Sequence, residues 1–238
     1  MENRYIDGYG FCYRYPHPSI TADCAVFGFD GRKLYVLLIQ RGEEPYIGQW
    51  ALPGGFMHME EDIENCAQRE LCEETGLTNI YLEQFHTFSA VNRDPRERVV
   101  TIAFLALVRK SERLVAGDDA ANAAWFDIEN LPKLAFDHEY ILSEAHRSLR
   151  QRLATSPIAF KLLDEKFTMP DLQRIYEVIN GVEYDRRNFS RKMVGTGLVK
   201  EVEGETEGPR NVNLWTFDEE SYKRQCAESP AARNPFLM

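Results

Sequence analysis

The chain of 238 residues has little cysteine, and what it has shows no pairing pattern: Cys12, Cys24, Cys66, Cys72 and Cys226 are odd in number and include no Cys-x-x-Cys. A disulfide scaffold and a structural zinc site of the usual spacing are therefore not expected, and a reducing cytoplasm is the default compartment. Long apolar runs are also missing. The longest, such as 101–108, fall far short of the roughly 20 residues a membrane helix needs. Residues 1–15 have neither a basic start nor an apolar core, so no signal peptide is expected. There is no internal repeat or low-complexity tract. Positive charge is in deficit, with Lys plus Arg 28 against Asp plus Glu 38 and a formal charge of −10. That argues against a protein that coats nucleic acid or membrane through net charge. What remains is an ordinary globular mixture, 44% hydrophobic and 28% charged, long enough for one large domain or a medium one plus a small one. The acidity sits mostly in the first part. Residues 1–154 hold 16 basic and 24 acidic residues, whereas residues 155–238 hold 12 and 14.

Residues 1–19 are rich in tyrosine and predict an irregular arm, either packed on its own domain or acting as a lid or a dimer-swapped segment. Strand signals follow at 20–29 and 33–40, joined by Asp30-Gly31, a hairpin turn pair. Residues 50–55 form a short extended piece ending in Gly54-Gly55. A helix is predicted over 62–75 and ends at Gly76. Strands are predicted at 80–89, 99–108 and 122–128, and a helix at 138–153 with Ile141, Leu142, Ala145 and Leu149 on one side. Strands mixed with hairpins and helices suggest a layered α+β sandwich with a mixed sheet. Thr155-Ser156-Pro157 marks a boundary. Beyond it, Thr168-Met169-Pro170-Asp171 has capping-box spacing and opens a helix that runs to Gly181. Asp185 can cap a second helix to Val194, and strands at 198–202 and 212–217 form a hairpin. Helix, turn, helix, hairpin is the order of a winged helix-turn-helix. The expected organisation is an arm (1–19), a larger domain (20–154), a winged helix (155–220) and a tail (221–238).

The strongest feature is the spacing Gly55, Glu61, Arg69-Glu70-Leu71-Cys72-Glu73-Glu74-Thr75-Gly76-Leu77. At 100° per residue, Glu70, Glu73 and Glu74 fall within an arc of about 100° on one helix face. Carboxylates that close repel unless something compensates them. An all-oxygen cluster suits a hard cation, Mg²⁺ or Mn²⁺, which completes its shell with water and substrate phosphate. The residues alone thus point to a metal site for phosphate chemistry, with a solvated acidic face paired to Arg69 as the alternative.

The stretch resembles the Nudix box at every position of that signature, a match expected by chance on the order of once in a billion start points. The preceding Gly48-x-Trp50-x-Leu52-Pro53-Gly54-Gly55 also resembles the family, and the likeness covers about residues 20–150. The resemblance implies a Nudix α/β/α sandwich that hydrolyses a diphosphate linked to another group. It implies Glu70 and Glu74 as main metal ligands and Glu73 as a further ligand. It also implies that the carbonyl of Gly55 joins the shell, that Arg69 orients the carboxylates, and that Glu61 either braces the loop or reaches a metal through water. Trp50 is expected to be family core and His58 a surface-loop residue. The general base stays open among Glu70, Glu97, Asp118 and Asp119, because spacing does not say which reaches the water. Residues 92–100 resemble a loop of ADP-ribose-handling Nudix proteins. On that likeness Arg93, Arg96 and Arg98 would bind phosphate or ribose, the alternative being a solvated turn paired to Asp94 and Glu97.

In the second part, Arg186, Arg187, Arg191 and Lys192 with Asn188 crowd onto one short helix. Arg and Asn read base edges, and Arg and Lys hold phosphates. This arrangement, over about residues 157–217, resembles the C-terminal winged helix of Nudix-related transcription regulators, a group that includes regulators of NAD metabolism and of pentose use. One feature departs from the pattern. The expected wing carries Glu201, Glu203, Glu205 and Glu207 against only Lys200 and Arg210. Acids there would repel a DNA backbone, and a winged helix used for dimerisation is the alternative.

Two functions follow as expectations. One is a metal-dependent hydrolase of a nucleoside diphosphate derivative, ADP-ribose favoured, fused to a DNA-binding winged helix. The other is a ligand-sensing transcription regulator, responsive to an NAD metabolite or a pentose, with weak or no turnover. Both imply a nucleotide-type ligand and a homodimer matched to a two-half-site operator. Neither implies a membrane.

Overall fold

The computed structural model describes residues 5–6, 12–110, 120–209 and 211–228. Two short strands, β1 (Tyr5–Ile6) and β2 (Cys12–Tyr13), pair antiparallel, so the expected irregular arm contains a ladder where strand-forming residues face each other. The main body is a seven-stranded mixed sheet. Its axis is β3 (Ser19–Phe29), which pairs antiparallel with β4 (Leu34–Arg41). On the other side β3 runs parallel to β8 (Val99–Arg109) along its whole length. β4 also pairs with β5 (Trp50–Ala51) and β9 (Ala120–Asp127). β6 (Gly54–Phe56) pairs with β3, and β7 (Glu83–Phe88) with β8. The strand expected over 80–89 is thus shorter at both ends.

Alternation along β3 explains the layers. Ala22, Cys24 and Val26 face one side and pack with Cys66, Ala67 and Leu71 of α1 (Ile63–Thr75). Ala25, Phe27 and Phe29 face the other side and pack with Ile141, Leu142, Ala145 and Leu149 of α2 (His138–Leu153). The result is the α/β/α sandwich. Asp62, expected as the first helical residue, is instead the N-cap and accepts from the Asn65 amide at 2.8 Å, and the left-handed Gly76 closes α1 as expected.

The second part begins with a 3₁₀ turn at Pro157–Leu162 and the short β10 (Phe167–Thr168). α3 (Met169–Asn180) carries the full Thr168/Asp171 capping box. α4 (Arg186–Gly195) starts at Asp185, which accepts from the Asn188 amide at 2.9 Å. β11 (Val199–Glu207) and β12 (Val212–Phe217) form the wing, with β10 on the outer side of β12. A last helix, α5 (Glu219–Glu228), stands where a tail was expected. It turns a polar seam inward. Gln225 donates to the Thr196 carbonyl at 2.9 Å, and the Ser221 amide donates to Asp218 at 3.0 Å, so no apolar periodicity announces it. Among the described residues no helix is long and apolar enough to cross a membrane.

One apolar core runs across both parts. The α2 cluster continues through Ile158 and Leu162 into Leu172, Ile175, Tyr176 and Ile179 of α3 and Phe189 of α4. Polar contacts reinforce the junction. His146 Nε2 and Arg150 Nε both reach the Ile179 carbonyl, at 3.1 and 2.9 Å, and Arg174 donates to the Arg32 carbonyl at 2.9 Å. Burial holds the pKa of His146 below its ordinary value, with Arg150 acting in the same direction. The folded chain therefore refuses a proton that the unfolded chain accepts below about pH 6.5, and this residue's stability contribution falls as pH drops through that value. Glu74, raised by burial to about 8, works in the opposite sense over the same window, so the comparison must be between variants. Thermal melts in metal-free buffer at pH 7.5 and 5.5 should show His146→Gln gaining stability relative to the parent at the lower pH. Parallel pH profiles for the two proteins would contradict this.

Candidate functional site

A cavity of about 280 Å³ opens where the ends of β3 and β4 meet the β5–β6 turn and the C-terminal half of α1. Its acidic wall is Glu70, Glu73 and Glu74. Two glycines allow α1 to come this close. At Gly54 the backbone has φ 154°, and an added Cβ would lie 2.1 Å from the Ala22 carbonyl oxygen. At Gly55 an added Cβ would lie 2.3 Å from Glu70 Oε1, so any side chain would displace that carboxylate. Glu74 accepts from the Gly54 amide at 2.8 Å.

Arg69 organises the carboxylates. It donates to both oxygens of Glu61, at 3.0 and 2.6 Å, to Glu70 at 2.8 Å, to Glu73 at 3.0 Å and to the Phe56 carbonyl at 3.1 Å. These bonds pull Glu61 down to about 2. Burial pushes Glu70 up, and pushes Glu74 up to about 8 despite its amide bond. A pair of buried carboxylates one helical turn apart, both disfavoured as anions, is the electrostatic situation a divalent cation relieves. The donor chemistry therefore fits Mg²⁺ or Mn²⁺. As arranged here, Glu70 and Glu73 are held by Arg69, and the described residues form no ready-made cluster of metal-ligating side chains.

The loop arginines go three ways. Arg93 lines the cavity but is buried and already committed, to Asp137 at 2.9 and 3.1 Å and to Asp23 at 3.3 Å. Its geometry is that of a brace for the cavity floor. Arg96 lines the cavity, forks onto Asp94 at 2.7 and 3.1 Å, and lies over the rings of Phe56 and Phe136 at 5.1 and 5.6 Å. Arg98 is directed to the carbonyls of Ser89, Ala90 and Val99 and does not line the cavity. Of the four groups considered as general base, Glu70 lines the cavity, whereas Glu97 accepts from Ser19 Oγ at 2.6 Å away from it. Asp118 and Asp119 lie outside the described residues. His58 is an exposed loop residue whose amide donates to Glu61, and Trp50 packs edge-on against Phe126 at 4.6 Å.

Sequence reasoning missed Asp23, Asp137, His138, Arg41 and Phe136. One signal was available: Asp23 interrupts an otherwise apolar buried strand. The Leu52 amide donates to His138 Nδ1 at 2.9 Å, which fixes that ring as neutral with its proton on Nε2, and burial lowers its pKa accordingly.

On the opposite part of the chain, Arg186, Arg187, Asn188, Arg191 and Lys192 are all exposed on α4. Phe189 and Met193 anchor its other side in the core. Arg191 donates to Asn188 at 2.8 Å, and among the described residues none of the four cations pairs with a carboxylate. The wing acids are partly answered. Glu205 pairs with Lys166 at 2.6 Å and Glu201 accepts from Asn213 at 2.5 Å. Arg210 lies outside the described residues.

Comparison with known proteins gives two family matches. The NUDIX domain model matches residues 17–145, and the NrtR DNA-binding winged helix domain model matches residues 159–217. An "ADPR responsive transcriptional repressor" from Acinetobacter baylyi is 35% identical over 87% of this chain and 85% of its own. An "ADP-ribose pyrophosphatase" from Methanocaldococcus jannaschii is 43% identical over 56% of this chain and 76% of its own. The Shewanella oneidensis NrtR crystallised with a 27mer DNA is similar at 30% identity, TM-score 0.69, over 86% of this chain and 95% of that one.

Proposed function

The chain belongs to the Nudix family, with an NrtR-type winged helix behind the Nudix domain, and on that premise we propose that it is an ADP-ribose-responsive DNA-binding protein whose Nudix domain retains pyrophosphohydrolase chemistry. The observation that carries the enzymatic half is the intact carboxylate wall on α1, packed against Gly54 and Gly55. In this reading Glu70 and Glu74, with the Gly55 carbonyl and Glu73, would hold Mg²⁺ or Mn²⁺. When bound, the metal supplies charge neutralisation and a water of lowered pKa. Arg69 keeps the carboxylates aligned, and Arg93 with Asp23 and Asp137 holds the cavity floor rigid. Of the base candidates among the described residues, Glu70 lines the cavity and Glu97 does not, and Glu70 is the one assigned to take the proton of the attacking water.

The regulatory half rests on the free cationic face of α4 and on the continuous core that joins it to the cavity-bearing part. ADP-ribose is the ligand favoured by the relatives' names. A homodimer presenting two α4 helices to an operator, working in the cytoplasm where the DNA is, completes the proposal. The test is an electrophoretic mobility shift with the promoter region beside the protein's own gene, with and without ADP-ribose and Mg²⁺. Specific binding that ADP-ribose weakens is the expected result. Binding indifferent to ADP-ribose would remove the sensing role.

A further inference from the structure

The cavity has a second wall that no box residue contributes. Arg41, at the end of β4, is half-buried there and faces the same space as the α1 carboxylates. Its guanidinium is steered by the Pro45 carbonyl at 2.8 Å and the Glu43 carbonyl at 3.3 Å, and lies 4.8 Å from the ring centre of Phe136. Among the described residues no carboxylate comes within salt-bridge distance of it, and its Nη1 makes no hydrogen bond. Arg93 and Arg96, the other cations of the cavity, are each already forked onto an aspartate. Arg41 is thus the cavity cation whose charge is not already spent. Burial, with Arg96 nearby, disfavours that charge in the free protein, which an anionic ligand would reverse.

The support under Arg41 is costly to build, which argues that its placement matters. Phe136 has φ 52° and Tyr46 has φ 67°, left-handed conformations that cost a non-glycine residue about 1 kcal/mol or more. The two rings pack edge-on at 4.9 Å, and the pair fixes the surface on which Arg41 rests.

We propose that Arg41, held on Phe136, is the specificity residue that selects a diphosphate. It binds a phosphate oxygen of the ligand from the wall facing the carboxylates, so the cavity discriminates for nucleoside diphosphate derivatives over neutral sugars and nucleosides before any metal is present. The inference rests on the ligand reading given above and adds the residue and the metal-independent step. A guanidinium also matches two phosphate oxygens at once, which a lysine cannot do.

Calorimetric titration of ADP-ribose into the full chain in EDTA, where hydrolysis does not interfere, tests it. Arg41→Met keeps the apolar stem and removes the charge, and should lose about ten- to hundredfold in affinity. Arg41→Lys should lie between. The decrease of affinity with ionic strength should flatten in Arg41→Met and persist in Arg41→Lys, a pattern that mere loss of packing would not produce. Thermal melts establish that each variant is folded. Arg41→Met binding ADP-ribose as tightly as the parent, or with the parent's salt dependence, overturns the inference alone. A parent protein that binds no nucleoside diphosphate derivative in either EDTA or Mg²⁺ overturns the ligand reading and the inference together.

Discussion

Glu74→Gln should abolish Mg²⁺-dependent release of AMP from ADP-ribose, with a loss on the order of a thousandfold or more. The magnitude follows from removing one of the carboxylates proposed to hold the metal: a bound metal would contribute several kcal/mol to the transition state, and each 1.36 kcal/mol is about tenfold in rate. The same change should leave the fold at least as stable in metal-free buffer. Glu74 is half-buried on the cavity wall and burial pushes its carboxyl up to about 8, so as an anion it is a liability in the absence of a cation. A glutamine keeps an oxygen for the Gly54 amide, now 2.8 Å from the carboxylate, and carries no charge. Separating activity from stability in this way distinguishes a metal ligand from a structural residue. Glu73→Gln should cost far less, because its side chain is 54% exposed and held only by Arg69. Chromatographic assay of AMP with a melting curve for each protein checks both points. Turnover by Glu74→Gln within tenfold of the parent would remove it from the metal site. A parent protein that binds ADP-ribose without cleaving it would reduce the Nudix domain to a sensor.

What could be read in advance follows from what kind of signal each feature leaves. α1 was legible to within one residue because two independent constraints coincide on it, the Gly76 terminator and the fixed carboxylate spacing, while the Asp62 cap showed itself only in the structure. α3 and α4 were legible for the same reason, each with a side-chain cap and an apolar stripe ending in the shared core. α5 was not, since a single ring, Tyr222 at 6.0 Å from Phe217, makes no apolar stripe, and beside it Gln225 holds the α4–β11 turn by a hydrogen bond. The site divides likewise. Residues of one helix and its glycine loop carry a spacing. Arg41 and Asp23 lie on strands and Arg93 and Phe136 on loops, four separate segments that meet only in the folded chain, which no linear pattern records. The three loop arginines show the limit most clearly. A guanidinium's role depends on which acceptors are already in reach, and Asp137 lies 44 residues from Arg93.

The largest expected effect outside the cavity is on DNA. Arg191→Ala with Lys192→Ala should weaken binding to the specific operator about a hundredfold or more. A well-placed arginine on a base edge is worth about 1–3 kcal/mol, and a phosphate-bound lysine adds its share. Arg191 is pre-positioned by Asn188 at 2.8 Å, one turn beyond the exposed Arg187. Its loss should therefore also relax discrimination at one base pair. Among the described residues Lys192 has no such partner, and its removal should act alike on all sequences and lower the salt slope by about one. The folded state should not notice either change, because the helix is anchored through Phe189 and Met193, which are 2% and 1% exposed. The formal charge of −10 sets the background. A chain so acidic has weak affinity for arbitrary DNA, so the parent should show a modest salt slope and a large gap between operator and random sequence. Mobility shifts at two salt concentrations with operator and scrambled duplexes measure all of these. An unchanged operator affinity in the double variant would show that α4 is not the reading helix, and would leave the winged helix as a contact between copies of the chain.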